Sequence, residues 1–217
     1  DMALPDPDSP AGKAKWRRIL EKCLPYIDLF LPSVEEVFYM LHPRDFLNWK
    51  AEHGGAELID ILSPREYQGF ADELLAMGTR LVALKAGSRG VYVRSGALEQ
   101  VKALPGIDAA NWASRELWAP ALAIDSIASA TGSGDSAIAG FLTAYLNGET
   151  LERTLRYATC LGWQNLHELD ALSGIKDWTT TTKMIAQDIP VLDTGLAEEQ
   201  WRWSAADRLW TGPRDRS

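Results

Sequence analysis

The chain has 217 residues, 46% hydrophobic and 24% charged, an ordinary globular composition long enough to bury a core as one domain. Its formal charge of -8, with no run of Lys or Arg, argues against nucleic acid or an anionic membrane as the main partner. Cys23 and Cys160 stand apart from any CxxC or His cluster, and no apolar stretch or secretory leader is recognised. Neither a disulfide scaffold, a structural zinc site nor a membrane span is therefore expected, and the expected location is cytoplasmic.

The chain starts at Asp1, which is not an initiator, and runs at once into Pro5, Pro7 and Pro10, so a first element is expected to be missing. Residues 15–24 carry Trp16, Ile19, Leu20 and Leu24 at helical spacing, and residues 27–31 form an apolar run of strand length. Ser33-Val34-Glu35-Glu36 has the S-x-x-E pattern of a capping box with Val37, Met40 and Leu41 behind it, and His42-Pro43 closes that helix. Ser63-Pro64-Arg65-Glu66 repeats the device, and the stripe of Tyr67, Phe70, Ala71, Leu74 and Leu75 ends at Gly78. Residues 81–84 and 91–93 read as strands joined by the turn Gly87-Ser88-Arg89-Gly90.

Residues 96–120 give a weak signal, read as irregular or short strands, and residues 124–128 read as a further strand. Ile138, Phe141, Leu142, Tyr145 and Leu146 then mark a helix that ends at Asn147-Gly148, and Thr150 caps another with Leu151, Leu155, Ala158 and Leu161. The tail beyond Ile175, with Trp201, Trp203 and Trp210, is expected to pack on the domain. Alternating helices and strands favour an α/β layered sheet.

The chemical centre is Thr131-Gly132-Ser133-Gly134-Asp135. A glycine-rich turn opening a helix presents unpaired amides and the positive end of the helix dipole, which favour a bound anion. Asp135 then sets a carboxylate beside that anion site, as needed where a hydroxyl must lose its proton while attacking phosphorus. Spacing alone leaves other readings open. The segment could be a plain helix cap. Gly132 to Ala137 also matches G-x-G-x-x-A of a dinucleotide fingerprint, with Glu152 as the ribose-binding acid, although two helices follow where parallel strands are needed. A P-loop is discarded, because Gly12-Lys13 has Pro7 in place of its first glycine and Ala14 in place of Ser or Thr.

The segment from Ala130 to Leu142, with T-G-S-G-D followed by A-G-F, resembles the signature of the PfkB (ribokinase-like) carbohydrate kinases. Leu84-Lys85-Ala86-Gly87-Ser88-Arg89-Gly90-Val91 resembles the family's strand and G-x-x-G turn, and Pro32-Ser33-Val34-Glu35-Glu36 its N-x-x-E segment. The resemblance implies a three-layer α/β/α, Rossmann-like sandwich and an ATP- and Mg²⁺-dependent transfer of phosphate to a sugar or nucleoside hydroxyl. It makes Asp135 the base and assigns the anion hole to the amides of Gly132, Ser133 and Gly134. Thr131, Gly87, Ser88 and Gly90 would line the nucleotide, and Glu36 would organise Mg²⁺; Glu36 and the two turn glycines have purely structural readings as well. Lys85 and Arg89 could meet phosphate, but are read first as solvated charges flanking the turn. The family often has Asn where Ser33 stands and Asp where Ser129 stands. Residues 1–217 are expected to be a single kinase domain lacking the family's amino-terminal segment and lid, through which members often form homodimers.

Overall fold

Two capping boxes frame the first half of the chain. The computed structural model describes residues 4–54 and 56–216, so the expectation about residues 1–3 lies outside them. After α1 (Trp16–Cys23) and β1 (Leu29–Phe30), the Glu36 amide donates to Ser33 Oγ at 3.3 Å and the Ser33 amide donates to Glu36 Oε2 at 2.8 Å, which starts α2 (Val34–Leu41). Pro43 ends α2 and is also the first residue of α3 (Pro43–His53), a helix the sequence reading did not distinguish. Beyond α4 (Leu58–Ile61), the Ser63 amide donates to Glu66 at 2.7 Å and opens α5 (Pro64–Ala76), whose Tyr67, Phe70, Ala71 and Leu74 are buried as expected.

β2 (Leu81–Lys85) and β3 (Val91–Ser95) form an antiparallel hairpin, with Leu81 opposite Ser95 and Lys85 opposite Val91. Residues 96–120 hold one short strand as expected, β4 (Glu116–Ala119), and two helices that were not expected, α6 (Leu98–Val101) and α7 (Ala109–Trp112). Four-residue helices carry too little periodicity to be read, and tertiary bonds hold this one in place, Ser95 Oγ donating to the Trp112 carbonyl at 2.6 Å. Residues 124–128 are not a strand. They form a loop tied by the Ala123 amide to Pro190 O and by the Ala128 amide to Leu166 O, each at 2.8 Å.

The remaining elements are α8 (Ser133–Leu146), α9 (Leu151–Asn165), α10 (Trp178–Ile185), β5 (Arg202–Ser204) and β6 (Leu209–Thr211). The sheet runs β1-β2-β3-β4-β6-β5, with β1 parallel to β2 and every other pairing antiparallel. Alternate residues of its strands face two different cores. Leu81, Ala83, Val91, Val93 and Leu117 meet Phe141 and Leu155 on one side. Val82, Leu84, Tyr92 and Trp118 meet Val37, Tyr67 and Phe70 on the other. With α8 and α9 on one face and α2 and α5 on the opposite one, the fold is a three-layer α/β/α sandwich built on a mixed sheet. Each fully buried Leu or Val contributes about 1.5–3 kcal/mol to it.

The stripe expected on α8 is rotated. Phe141 and Tyr145 are buried, but Leu142 and Leu146 are exposed, while Ser136, Gly140 and Ala144 face inward, because α9 packs closely on the small residues. The tail packs on the body as expected, β6 entering the sheet beside β4. Past β6, Glu116, fully buried, accepts from the Arg214 amide at 2.7 Å, from Gln68 at 2.9 Å and from Tyr92 Oη at 3.0 Å. Arg115 donates to Asp215 at 2.8 Å and to Glu152 at 2.6 Å. These bonds replace the water that such buried charges lose. No helix among the described residues is long and apolar enough to cross a membrane.

Candidate functional site

Gly132 sits just before α8 with φ +82°, a left-handed conformation that favours glycine. A Cβ there would lie 2.6 Å from Ala171 Cβ, so space also demands glycine. The turn is held from below by Asn165, the last residue of α9 and fully buried. Its Nδ2 donates to the Thr131 carbonyl at 2.9 Å, and its Oδ1 accepts from Ser136 Oγ at 3.1 Å. The Ser133 amide donates to the Ala130 carbonyl at 3.2 Å; among the described residues no acceptor is bonded to the amides of Gly132, Gly134 or Asp135. Three donors at a helix start form a ready anion site. Asp135 is exposed on the first turn of that helix.

Two cavities meet at this turn. An apolar one of about 250 Å³ is walled by Val91, Ala121, Ile124, Ile127, Trp163 and Leu192, with Ser88, Gly90 and Ser133 also on its lining. Trp163 is fixed there by Nε1 donating to the Ala123 carbonyl at 2.8 Å. An open groove of about 760 Å³ is lined by Ser33, Glu36, Glu57, Thr131 and Gly132. Lys85, Gly87 and Gly134 belong to both, so the groove runs from the apolar slot past the start of α8. The slot suits a flat apolar group, while the groove carries Glu35, Glu36 and Glu57 together with Lys85.

The structure therefore brings together Gly87, Ser88, Gly90, Thr131, Gly132, Ser133 and Gly134 around one continuous space. Gly90 has φ +91°, and a Cβ on it would fall 2.0 Å from the Ala119 carbonyl, which lets the hairpin turn lie against the end of β4. Glu36 Oε2 closes the capping box, and the residue also borders the groove. One or two carboxylates beside phosphates are a set that suits Mg²⁺, which keeps several of its own waters. Glu36, on the lining of the groove, would be the carboxylate to hold such an ion.

The two cations of the turn are not solvated flanking charges. Arg89 donates to the carbonyls of Ile59 at 3.0 Å, Leu62 at 2.6 Å and Thr194 at 3.1 Å, and its guanidinium lies 5.0 Å from the Trp118 ring centroid. It is a structural clamp between loop, tail and core. Lys85 is half-buried, and burial pushes its ammonium down from lysine's ordinary value, against the opposing charges of Glu36 and Asp135. Sequence reasoning passed over Asn165, although an Asn on the inner face of an amphipathic helix signals a buried polar contact. It also missed Trp163, Ile127 and Leu192, whose convergence depends on tertiary structure.

The dinucleotide alternative lacks its context. Among the described residues no strand leads into Gly132, and Glu152, its ribose-binding candidate, is held by Arg115 at 2.6 Å and Asn111 at 3.0 Å. Residues 4–177 match the profile of the pfkB family carbohydrate kinases. The chain belongs to that family. An uncharacterized sugar kinase of Archaeoglobus fulgidus is 24% identical to this pfkB-family chain over 152 residues, 70% of this chain and 50% of that protein. Among solved structures, ribokinase from Thermotoga maritima superposes with a TM-score of 0.54 at 17% identity, covering 82% of this chain and 47% of that one. Arabidopsis thaliana ribokinase, complexed with ribose and ATP, gives 0.55 at 17% identity over 76% and 43%. The fold is thus ribokinase-like, and the chain spans about half the length of these relatives.

Proposed function

We propose that this chain is the phosphate-handling portion of a kinase domain that moves the γ-phosphate of ATP to a hydroxyl of a sugar or sugar-like small molecule, such as a nucleoside. The observation that carries the proposal is Asp135, exposed on the first helical turn directly after the anion-binding glycines, of which Gly134 borders both the slot and the groove. As the acceptor oxygen attacks the γ-phosphorus, its proton passes to the Asp135 carboxylate and the bond from phosphorus to the ADP oxygen breaks. The open amides of Gly132 and Gly134, together with that of Asp135, stabilise the charge on the transferring oxygens. Gly87, Ser88, Gly90 and Thr131 shape the nucleotide's bed. Mg²⁺, organised by Glu36, would neutralise phosphate charge. The acceptor class is carried over from ribose in the Arabidopsis relative.

Parallel calorimetric titrations of the chain with ATP–Mg²⁺ and with NAD(H) test the proposal. Saturable binding of ATP–Mg²⁺ with none of NAD(H) is expected; tight NAD(H) binding without a response to ATP overturns it.

A further inference from the structure

We infer that residues 186–196 form a strap that closes one wall of the apolar slot, and that a nucleotide base seated against Leu192 holds this strap shut. The inference rests on the proposed kinase reading, in which the flat group of the slot is the base, and adds a positioning residue to it. The strap lies beyond residues 4–177, so the family match says nothing of it. From the end of α10 to the buried Leu196 it has no helix or strand of its own, and Asp188, Pro190 and Asp193 are exposed. Its anchors are few. Arg156 of α9 donates to the Ile185 carbonyl, and Arg208, in the turn between β5 and β6, donates to the Ile189 carbonyl and pairs with Asp188. The Ala123 amide donates to the Pro190 carbonyl and the Leu192 amide to the Ala121 carbonyl, each at 2.8 Å. Further on, Arg89 donates to the Thr194 carbonyl at 3.1 Å.

These bonds join the strap to the other walls of the slot. Ala123, whose amide holds Pro190, offers its carbonyl to Trp163 Nε1 at 2.8 Å. Arg89 belongs to the turn whose Ser88 and Gly90 border the slot. Leu192 stands on the slot lining and is half-buried, although Pro190 and Asp193 beside it are exposed. A segment with few buried contacts opens locally at low cost. An apolar ring in the slot would cover Leu192 and need the strap in place. By linkage, the ligand then holds the strap closed as strongly as the strap holds the ligand.

The test follows hydrogen exchange at the Ala123 and Leu192 amides with and without adenosine, which fills a base slot without engaging a phosphate site. At adenosine 100 times its Kd, exchange at both should slow by about tenfold to 100-fold, the upper figure being the ratio of ligand to Kd. Calorimetric titration should show adenosine weakened roughly 5- to 50-fold by Leu192→Ala, which removes apolar cover. Arg208→Met, which touches the strap at Ile189 and Asp188 but not the slot, should weaken it about three- to tenfold. Glu73→Gln, which loosens the bonds to Arg17 and His42 instead, should change it by less than about twofold. The exchange reading needs no variant, so it decides the matter even if Leu192→Ala does not fold. Adenosine binding that leaves exchange at both amides unchanged overturns the strap and spares the kinase reading. So does a loss for Glu73→Gln as large as for Arg208→Met, which marks general destabilisation. A parent chain that binds neither adenosine nor ATP–Mg²⁺ sinks the kinase reading and the strap's role together.

Discussion

Replacing Asn165 with Ala probes how the glycine turn before α8 is held. Asn165 is fully buried and links Thr131 in the turn to Ser136 in α8 through bonds of 2.9 and 3.1 Å. Without it the Ser136 hydroxyl, itself buried, loses its acceptor, at a cost of about 1–3 kcal/mol. The Thr131 carbonyl belongs to an exposed residue and can turn to water, which limits its loss to about 0.5–1.5 kcal/mol. A total of about 1.5–4.5 kcal/mol corresponds, for a chain of this size, to a fall in Tm of roughly 3–18 °C. Asn165→Asp keeps the acceptor for Ser136 and removes the donor to Thr131, so it separates the two bonds. Differential scanning calorimetry of the parent and both variants reads the effect. If Asn165→Ala melts within about 1 °C of the parent, the clamp carries no weight and the reasoning is wrong.

Two further outcomes follow from other parts of the molecule. Gly90→Ala places a Cβ 2.0 Å from the Ala119 carbonyl at a φ of +91°, so it should cost more than about 3 kcal/mol and appear as lost soluble protein or a urea midpoint far below the parent's. Glu73 is the pH-sensitive joint between α1, α2 and α5: burial would raise its carboxyl, but bonds from Arg17 at 2.5 Å and His42 at 2.7 Å bring it below the usual range. A depressed folded pKa means the unfolded chain binds more protons in this window. Its contribution is therefore present above the unfolded value of about 4.3 and fades as pH falls through the lower folded one. Urea midpoints at pH 6, 4 and 3 should drop more steeply for the parent than for Glu73→Gln; identical slopes would contradict the assignment.

Local signals made much of this fold legible. Ser33 with Glu36 and Ser63 with Glu66 announce helix starts within four residues; the first box forms in full, whereas at the second the Ser63 amide and Oγ both donate to Glu66. The glycine turn before α8 was legible because Gly132, with its positive φ, meets a need of the backbone itself. What escaped depends on distant partners. Pro43 was read as a stop although a proline at the first helical position is equally a start. Residues 124–128 have the apolar run of a strand but wall the ligand slot as a loop, and β6 finds β4 only across some ninety residues of chain. Lys85 and Arg89 look alike in sequence, two cations beside one turn. Only packing makes one a clamp on three carbonyls and the other a charge at the junction of slot and groove.

The most direct trial of the account is Asp135→Asn in the protein that carries this chain, assayed for γ-phosphate transfer to a panel of sugars and nucleosides. A carboxylate acting as base is worth about 10²–10⁴ in rate, so kcat should fall by that factor while ATP–Mg²⁺ affinity stays within about threefold of the parent. A variant that retains nearly the full kcat would show that the proton goes elsewhere and that Asp135 is not the base.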